Sequence, residues 1–204
     1  MAILKGRELA KRASIEYPSN ERIIVVPDPG FDALSRSGAA AIDLRLGRWV
    51  TSLRNDAISK LDIIDSDDRE QTEFAHTKRY FIPFNGTFIL QPRSFVLGVT
   101  LEWIRLPDNV AGYLTARSRI GRRGLIIATA AGVHPGFSGC LTLELSNVSE
   151  IPIVLRPGLS ICQLFLHDAP GERVPFHSVF SGSRIPILGP LERDETARKL
   201  AEKQ

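Results

Sequence analysis

The chain has 204 residues, 43% hydrophobic and 24% charged, with 26 basic and 23 acidic side chains and a formal net charge of +3. A chain of that length buries a core without covalent staples, and so small a net charge does not suggest a nucleic-acid partner. Two cysteines, Cys140 and Cys162, with no CxxC pair give neither a disulfide framework nor a zinc knuckle, and no stretch approaches the roughly 20 apolar residues of a membrane span.

The first residues, MAILKGRELAKR, lack the long apolar run of a secretory signal, so a reducing cytoplasm is the expected compartment. Residues 7–13 read as a helix with Leu9, Ala10 and Ala13 on one face. Residues 23–26 read as a short strand ending at Pro27. The segment PDPGFDALSRSG at 27–38 is turn-rich and reads as a loop. In AIDLRLG, Ile42, Leu44 and Leu46 alternate with Asp43 and Arg45, the pattern of a half-buried strand. Residues 54–79 are polar and read as a surface excursion. Residues 80–84 and 87–90 flank Asn85-Gly86, a two-residue hairpin signal. Further strands are expected at 96–101, 110–115, 125–128, 140–145, 151–155 and 161–167, separated by Gly, Pro, Asn and Asp. A polar helix is expected at 192–203, with Ala197, Leu200 and Ala201 on one side. Many short strands without βαβ alternation point to one mainly β domain over 1–204, built as a sandwich, barrel or jelly roll.

Several familiar chemistries lack their residues. There is no HxE followed by PCxxC for a zinc nucleoside deaminase. There is no HExxH, Walker A loop or GxSxG. The histidines, His76, His134, His167 and His177, show no ligand spacing. Two features remain. Four arginines, Arg117, Arg119, Arg122 and Arg123, fall within seven residues beside Ser118, Gly121 and Gly124. Guanidinium forks match phosphate oxygens, so this stretch is either an anion site or a solvated basic loop. In CLTLELSN, Leu141, Leu143 and Leu145 share one face, and Glu144 lies on the other with Cys140, Thr142 and Ser146. Glu144 is either an outward surface group or a pocket carboxylate placed to shuttle a proton. Asp43 reads as a structural partner of Arg45 or of a neighbouring strand, and His134, in a turn before Pro135, as a solvated side chain.

The stretch ARSRIGRRGLIIATAAGVHPGFSGCLTLELSN resembles the central motif of dCTP deaminases, within the dCTP deaminase/dUTPase superfamily. AIDLRLG resembles that family's SVDLRLG strand, IVLRPGLSICQLFL its later PGM-containing segment, and LKGRELAKR its opening helix. The similarity runs in order from about residue 4 to 168 and leaves 169–204 as a divergent tail. It implies a distorted β-barrel or jelly roll of the dUTPase-like type with short terminal helices. It also implies a homotrimer with active sites between subunits. The activity implied is zinc-independent hydrolysis of dCTP to dUTP and ammonia, with Mg2+ as the triphosphate's counterion. Two alternatives stand beside it: a dUTPase or bifunctional enzyme releasing pyrophosphate, and a non-catalytic trimeric nucleotide-binding scaffold. By the resemblance, Glu144 is the catalytic proton shuttle. Ser118 and Arg122 hold water and base, and the carbonyl of Ala131 assists them. Arg117, Ser118, Arg119, Arg122, Gly132, His134 and Arg184 are the substrate-binding positions.

The chain departs from the family pattern at three places. Gly132-Val133-His134-Pro135 is one residue short, with His134 where the family has an aspartate. Arg119 replaces a second serine. In the C-terminal lid register, Val179, Phe180 and Ser183 replace lysine, tyrosine and glutamine, while Gly182, Arg184 and Pro186 are retained.

Overall fold

A computed structural model of the chain describes residues 2–53, 77–129, 132–171, 180–189 and 195–201. Twelve strands and four helices are defined among them. The strands are β1 Ile24–Val26, β2 Ala41–Arg45, β3 Trp49–Leu53, β4 Thr77–Phe81, β5 Phe88–Leu90 and β6 Phe95–Arg105. They continue as β7 Val110–Ala116, β8 Leu125–Ile127, β9 Gly132–Val133, β10 Ser138–Asn147, β11 Ile153–Leu155 and β12 Ser160–Asp168. The helices are α1 Gly6–Ala13, α2 Phe31–Ser37, α3 Ser118–Gly121 and α4 Glu195–Ala201. One sheet runs β4-β3-β6-β10-β8, with β1 also on β6; a second runs β2-β12-β7-β9; β5 and β11 form a separate pair. Every ladder is antiparallel. The sheets stay open at their edges, which makes the expected barrel a distorted one. Burial alternates along β7 and β10, and the inward residues Leu44, Leu114, Leu143, Leu145, Leu155 and Leu164 of all three sheets share one core. This strand alternation is what joins the sheets, because each hides one apolar face against another.

Several expected elements are corrected. Residues 27–38 are not all loop, since α2 occupies Phe31–Ser37. Asp28 Oδ1 accepts from the backbone N–H of Gly30 (2.8 Å) and Phe31 (3.1 Å), and Gly38 closes the other end with left-handed backbone. The helix is held by Phe31 and Leu34 packing on the core. Asn85-Gly86 lies in a turn, with Gly86 N–H donating to Pro83 O (2.8 Å), but its flanks form no hairpin. β4 pairs with β3 and β5 with β11, so the two arms enter different sheets. The polar excursion ends earlier than expected, since β4 begins at Thr77; its residues 54–76 lie outside the described set. The C-terminal helix spans Glu195–Ala201, and its Leu200 is 63% exposed, so that side chain does not dock on the body.

Two irregularities position the side chains that matter below. Between the pairs Cys140↔Trp103 and Thr142↔Val99, the single residue Leu141 faces Thr100, Leu101 and Glu102 of β6. The bulged segment turns Glu102 wholly inward, at 0% exposure. Its carboxylate accepts from Arg45 N–H (2.8 Å) and Arg45 Nε (2.5 Å). The orphaned Leu141 N–H donates to Thr100 Oγ1 (2.9 Å), which in turn donates to Glu102 O (2.8 Å). In β12, Ile161 is the extra residue between Ser160↔Arg45 and Cys162↔Leu44.

Candidate active site

β10 carries Glu144 on its outward face, as the alternation with Leu143 and Leu145 requires. Its main chain is fixed by the neighbouring segment: Glu144 N–H donates to Thr129 Oγ1 and Ala128 N–H donates to Glu144 O, both at 2.9 Å. The half-buried carboxylate makes no hydrogen bond or ion pair among the described residues. It borders a cavity of about 340 Å³. Gly132 and His134 border the same cavity, with Thr129, Thr142 and Cys140. The walls are otherwise apolar: Leu97, Val133, Phe137 and Leu141 from the body, and Phe180, Ile187 and Leu188 from the C-terminal tail.

The tail reaches this cavity by strand-like bonds to β10. Gly182 N–H donates to Ser138 O (2.7 Å), and Cys140 N–H donates to Ser183 O (2.8 Å). Arg184 follows and is exposed. Burial pushes the Cys140 thiol up to about 11; the positive charge of Arg184 opposes this and the negative charge of Glu102 adds to it. Arg184 is therefore beside the cavity, though not in its lining.

The arginine stretch forms a different surface. β7 ends at Ala116, Arg117 begins the short turn α3, and β8 follows from Leu125. Ser118, Arg119, Arg122 and Arg123 are exposed. Arg123 Nη1 donates to Arg119 O (2.6 Å), which fastens the turn. Gly124 closes it: its φ is +85°, and a Cβ there would stand 2.6 Å from Ser149 Cβ, so no side chain fits. The side chains of Ser118, Arg119 and Arg122 make no hydrogen bond or ion pair among the described residues. Arg117 differs, with Nη1 donating to Asp43 Oδ2 and to Ser160 Oγ (2.6 Å). Asp43 thus pairs across strands with Arg117, and not with Arg45.

One chain does not unite the expected catalytic set. Gly132, His134 and Glu144 meet at the cavity, with Arg184 nearby; Ser118, Arg119 and Arg122 do not line it. Gly124 O accepts from Val148 N–H (2.9 Å), which ties the loop to the far end of β10. Glu144 is four residues back along that strand, roughly 13 Å away. Ala131 lies outside the described residues. Sequence reasoning missed Thr129 and the tail's Ile187 and Leu188 as cavity residues, because only tertiary folding brings them to β10. It also missed Glu102, which lies beyond the strand expected at 96–101 and shares a face of β6 with the buried Thr100 and Ile104. Among the described residues no three His, Cys, Asp or Glu side chains gather as a metal site, and no helix is long and apolar enough to cross a membrane.

A family model described as dCTP deaminase-like matches residues 3–169. The chain belongs to the dCTP deaminase-like family. Among its relatives, the "dCTP deaminase, dUMP-forming" of Beutenbergia cavernae is 41% identical over 163 residues, covering 78% of this chain and 80% of that protein. The protein of the same description from Dictyoglomus turgidum is 35% identical over 199 residues, covering 94% of this chain and 96% of its own length. The solved 2'-deoxycytidine 5'-triphosphate deaminase of Agrobacterium tumefaciens matches with a TM-score of 0.57 at 17% identity, over 82% of this chain and 46% of that one. That likeness concerns the fold. The match covers the arginine loop and the body side of the Glu144 cavity, and ends before the tail that supplies the rest of the cavity's wall.

Proposed function

We propose that the chain deaminates dCTP by direct hydrolysis, as a cytoplasmic homotrimer whose sites join the Glu144 cavity of one copy to the Ser118–Arg122 loop of the next. The observation that carries this reading is the division of labour in a single chain. A half-buried carboxylate with no partner among the described residues borders a largely apolar cavity, while a hydroxyl and two guanidinium groups with no partners among those residues stand on another surface. Each half lacks what the other offers. A heterologous interface in a closed ring brings the two together once per copy.

In this reading water adds to C4 of cytosine while Glu144 takes its proton. The carboxyl returns that proton to the departing amine, so one water is consumed and one ammonia is released. A half-buried carboxylate beside largely apolar walls suits this shuttle. Arg122 and Ser118 supply fixed donors to the charge that develops on water and base, and the carbonyl of Ala131 accepts from the water. Gly132 and His134 border the part of the cavity left for the sugar. Arg119 and Arg184 face the phosphates. The loop's donors are guanidinium and hydroxyl groups, which match phosphate oxygens rather than a cation, so Mg2+ enters as part of the substrate.

The relatives' printed name favours a second reading, in which pyrophosphate also leaves and the product is dUMP. Against it stands His134, which occupies the turn position where the family has an aspartate. The test is to incubate the purified protein with dCTP, dUTP, dCMP and CTP in Mg2+ without zinc. Ammonia and pyrophosphate are then measured separately. Ammonia from dCTP, lost by about a hundredfold or more in Glu144→Gln, is the expected result. Pyrophosphate as well selects the dUMP-forming reading. Neither product, with nucleotide still bound, means a binding scaffold.

A further inference from the structure

Arg117 opens the loop that the proposed function assigns to the triphosphate, yet its guanidinium is committed elsewhere. Nη1 donates to both Asp43 Oδ2 and Ser160 Oγ (2.6 Å). Asp43 is itself held, since Gln163 Nε2 donates to its Oδ1 (2.9 Å). The three partners come from β2 and β12, and Gln163 stands directly opposite Asp43 in the ladder. Side chains opposite each other share one face of a sheet, so this clamp is built from fixed strands. The extra residue of β12 completes it. Ile161 leaves the β2 ladder, its carbonyl accepts from Arg117 N–H (3.2 Å), and Ser160 is brought to the guanidinium. A bulge that re-aims a side chain beside a functional loop is a recurrent use of that irregularity.

The loop hangs on this residue. Arg117 O accepts from the N–H groups of both Ile120 (2.9 Å) and Gly121 (3.1 Å), and Ser118 O accepts from Arg122 N–H (2.9 Å). Those bonds define α3, a four-residue turn without a side-chain cap at its start. A helix so short does not hold itself. Its start is set by whatever fixes Arg117, while the Arg123–Arg119 bond, the Val148–Gly124 bond and Ile120 on the core hold its other end.

We propose that Asp43, backed by Gln163 and joined by Ser160, is a positioning residue that holds Arg117 as the anchor of the Ser118–Arg122 loop, leaving Arg119 as the loop cation that meets the triphosphate and Arg122 as the one that meets water and base. This deepens the proposed function and rests on it. Asp43 touches no substrate; it acts through Arg117.

The test uses the full chain with Asp43→Asn, Ser160→Ala, Arg117→Gln and the double variant Asp43→Asn/Arg117→Gln. Hydrogen exchange at the amides of residues 120–122 reads the positioning, and kcat/KM for dCTP reads its consequence. Asp43→Asn speeds exchange at those amides by about tenfold or more, without a matching change in β10. It lowers kcat/KM about tenfold. The double variant is no worse than Arg117→Gln alone, because both substitutions cut the same link. Should Asp43→Asn unfold the chain, Ser160→Ala removes one bond of the clamp and gives the same two signatures more weakly. Unchanged loop exchange overturns the proposal. So does faster exchange with unchanged kcat/KM, which makes Asp43 structural only, and so does additivity in the double variant, which makes Arg117 a direct ligand. The wild-type rate on dCTP tests the proposed function separately from all of these.

Discussion

Glu102→Ala removes a buried carboxylate from the β6 segment opposite the irregular pairing at Leu141. Glu102 is 0% exposed, while the side chain of its partner Arg45 is 35% exposed. The substitution strips two acceptors at once: that of Arg45 N–H (2.8 Å) and that of Arg45 Nε (2.5 Å). Arg45 Nη2 already has no hydrogen-bond partner among the described residues, so losing the carboxylate adds to an existing deficit. Breaking a fully buried ion pair costs about 3–5 kcal/mol. Arg45 reaches water over a third of its side chain and can turn outward, which brings the expected loss to about 2–4 kcal/mol. For a chain of this size each kcal/mol lowers Tm by about 2–4 °C. Differential scanning at fixed protein concentration therefore gives a fall of roughly 4–16 °C. The double replacement Glu102→Met/Arg45→Met recovers most of it, because neither charge is then left alone. A loss below about 1 kcal/mol for Glu102→Ala refutes the reasoning, since it means the carboxylate is not what holds Arg45.

Gly124→Ala destabilises by about 2 kcal/mol or more, since φ is +85° and the new Cβ meets Ser149 Cβ at 2.6 Å; urea unfolding of the pair of proteins measures it. The buried thiols give a pH signature. Burial raises Cys140 to about 11 and Cys162 to about 12, above the ordinary 9.0. The folded state thus keeps protons that the unfolded state releases. Stability from these groups is fully present below pH 9.0 and is lost as pH rises through about 11 and 12. Denaturation midpoints between pH 8 and 11 read the loss, and its absence in Cys140→Ala/Cys162→Ala assigns it. At pH 8 Cys140 is mostly thiol and only 8% exposed. Iodoacetamide therefore labels it slowly in the folded chain and rapidly in urea.

How much was legible follows from what each residue depends on. Glu144 stood out because strand alternation is local: Leu141, Leu143 and Leu145 point inward whatever lies opposite, so Glu144 cannot. The arginine loop was legible by composition, but the separate task of Arg117 was not. Its partners Asp43, Ser160 and Gln163 are distant in sequence and become visible only with the β2–β12–β7 register. Glu102 shares the buried face of β6 with Thr100 and Ile104, but its partner Arg45 lies on β2, a pairing that no local pattern signals. Helix α2 was hidden by its own punctuation. Pro27, Pro29 and Gly30 announce a loop, while the seven-residue helix between the glycines is held by Phe31 and Leu34 on the core. Asn85-Gly86 marks a turn but not a hairpin, because pairing is decided by which sheet each arm enters.

The central claim is that Glu144 of one copy works with Ser118 and Arg122 of another. Subunit mixing tests it most directly. Glu144→Gln and Arg122→Ala are each prepared, each found inactive on dCTP, then unfolded together in equal amounts, refolded and assayed for ammonia. In a three-membered ring, random mixing places an intact Glu144 against an intact Arg122 at about a quarter of the sites, so about a quarter of wild-type activity returns. A mixture as inactive as its two components contradicts the account.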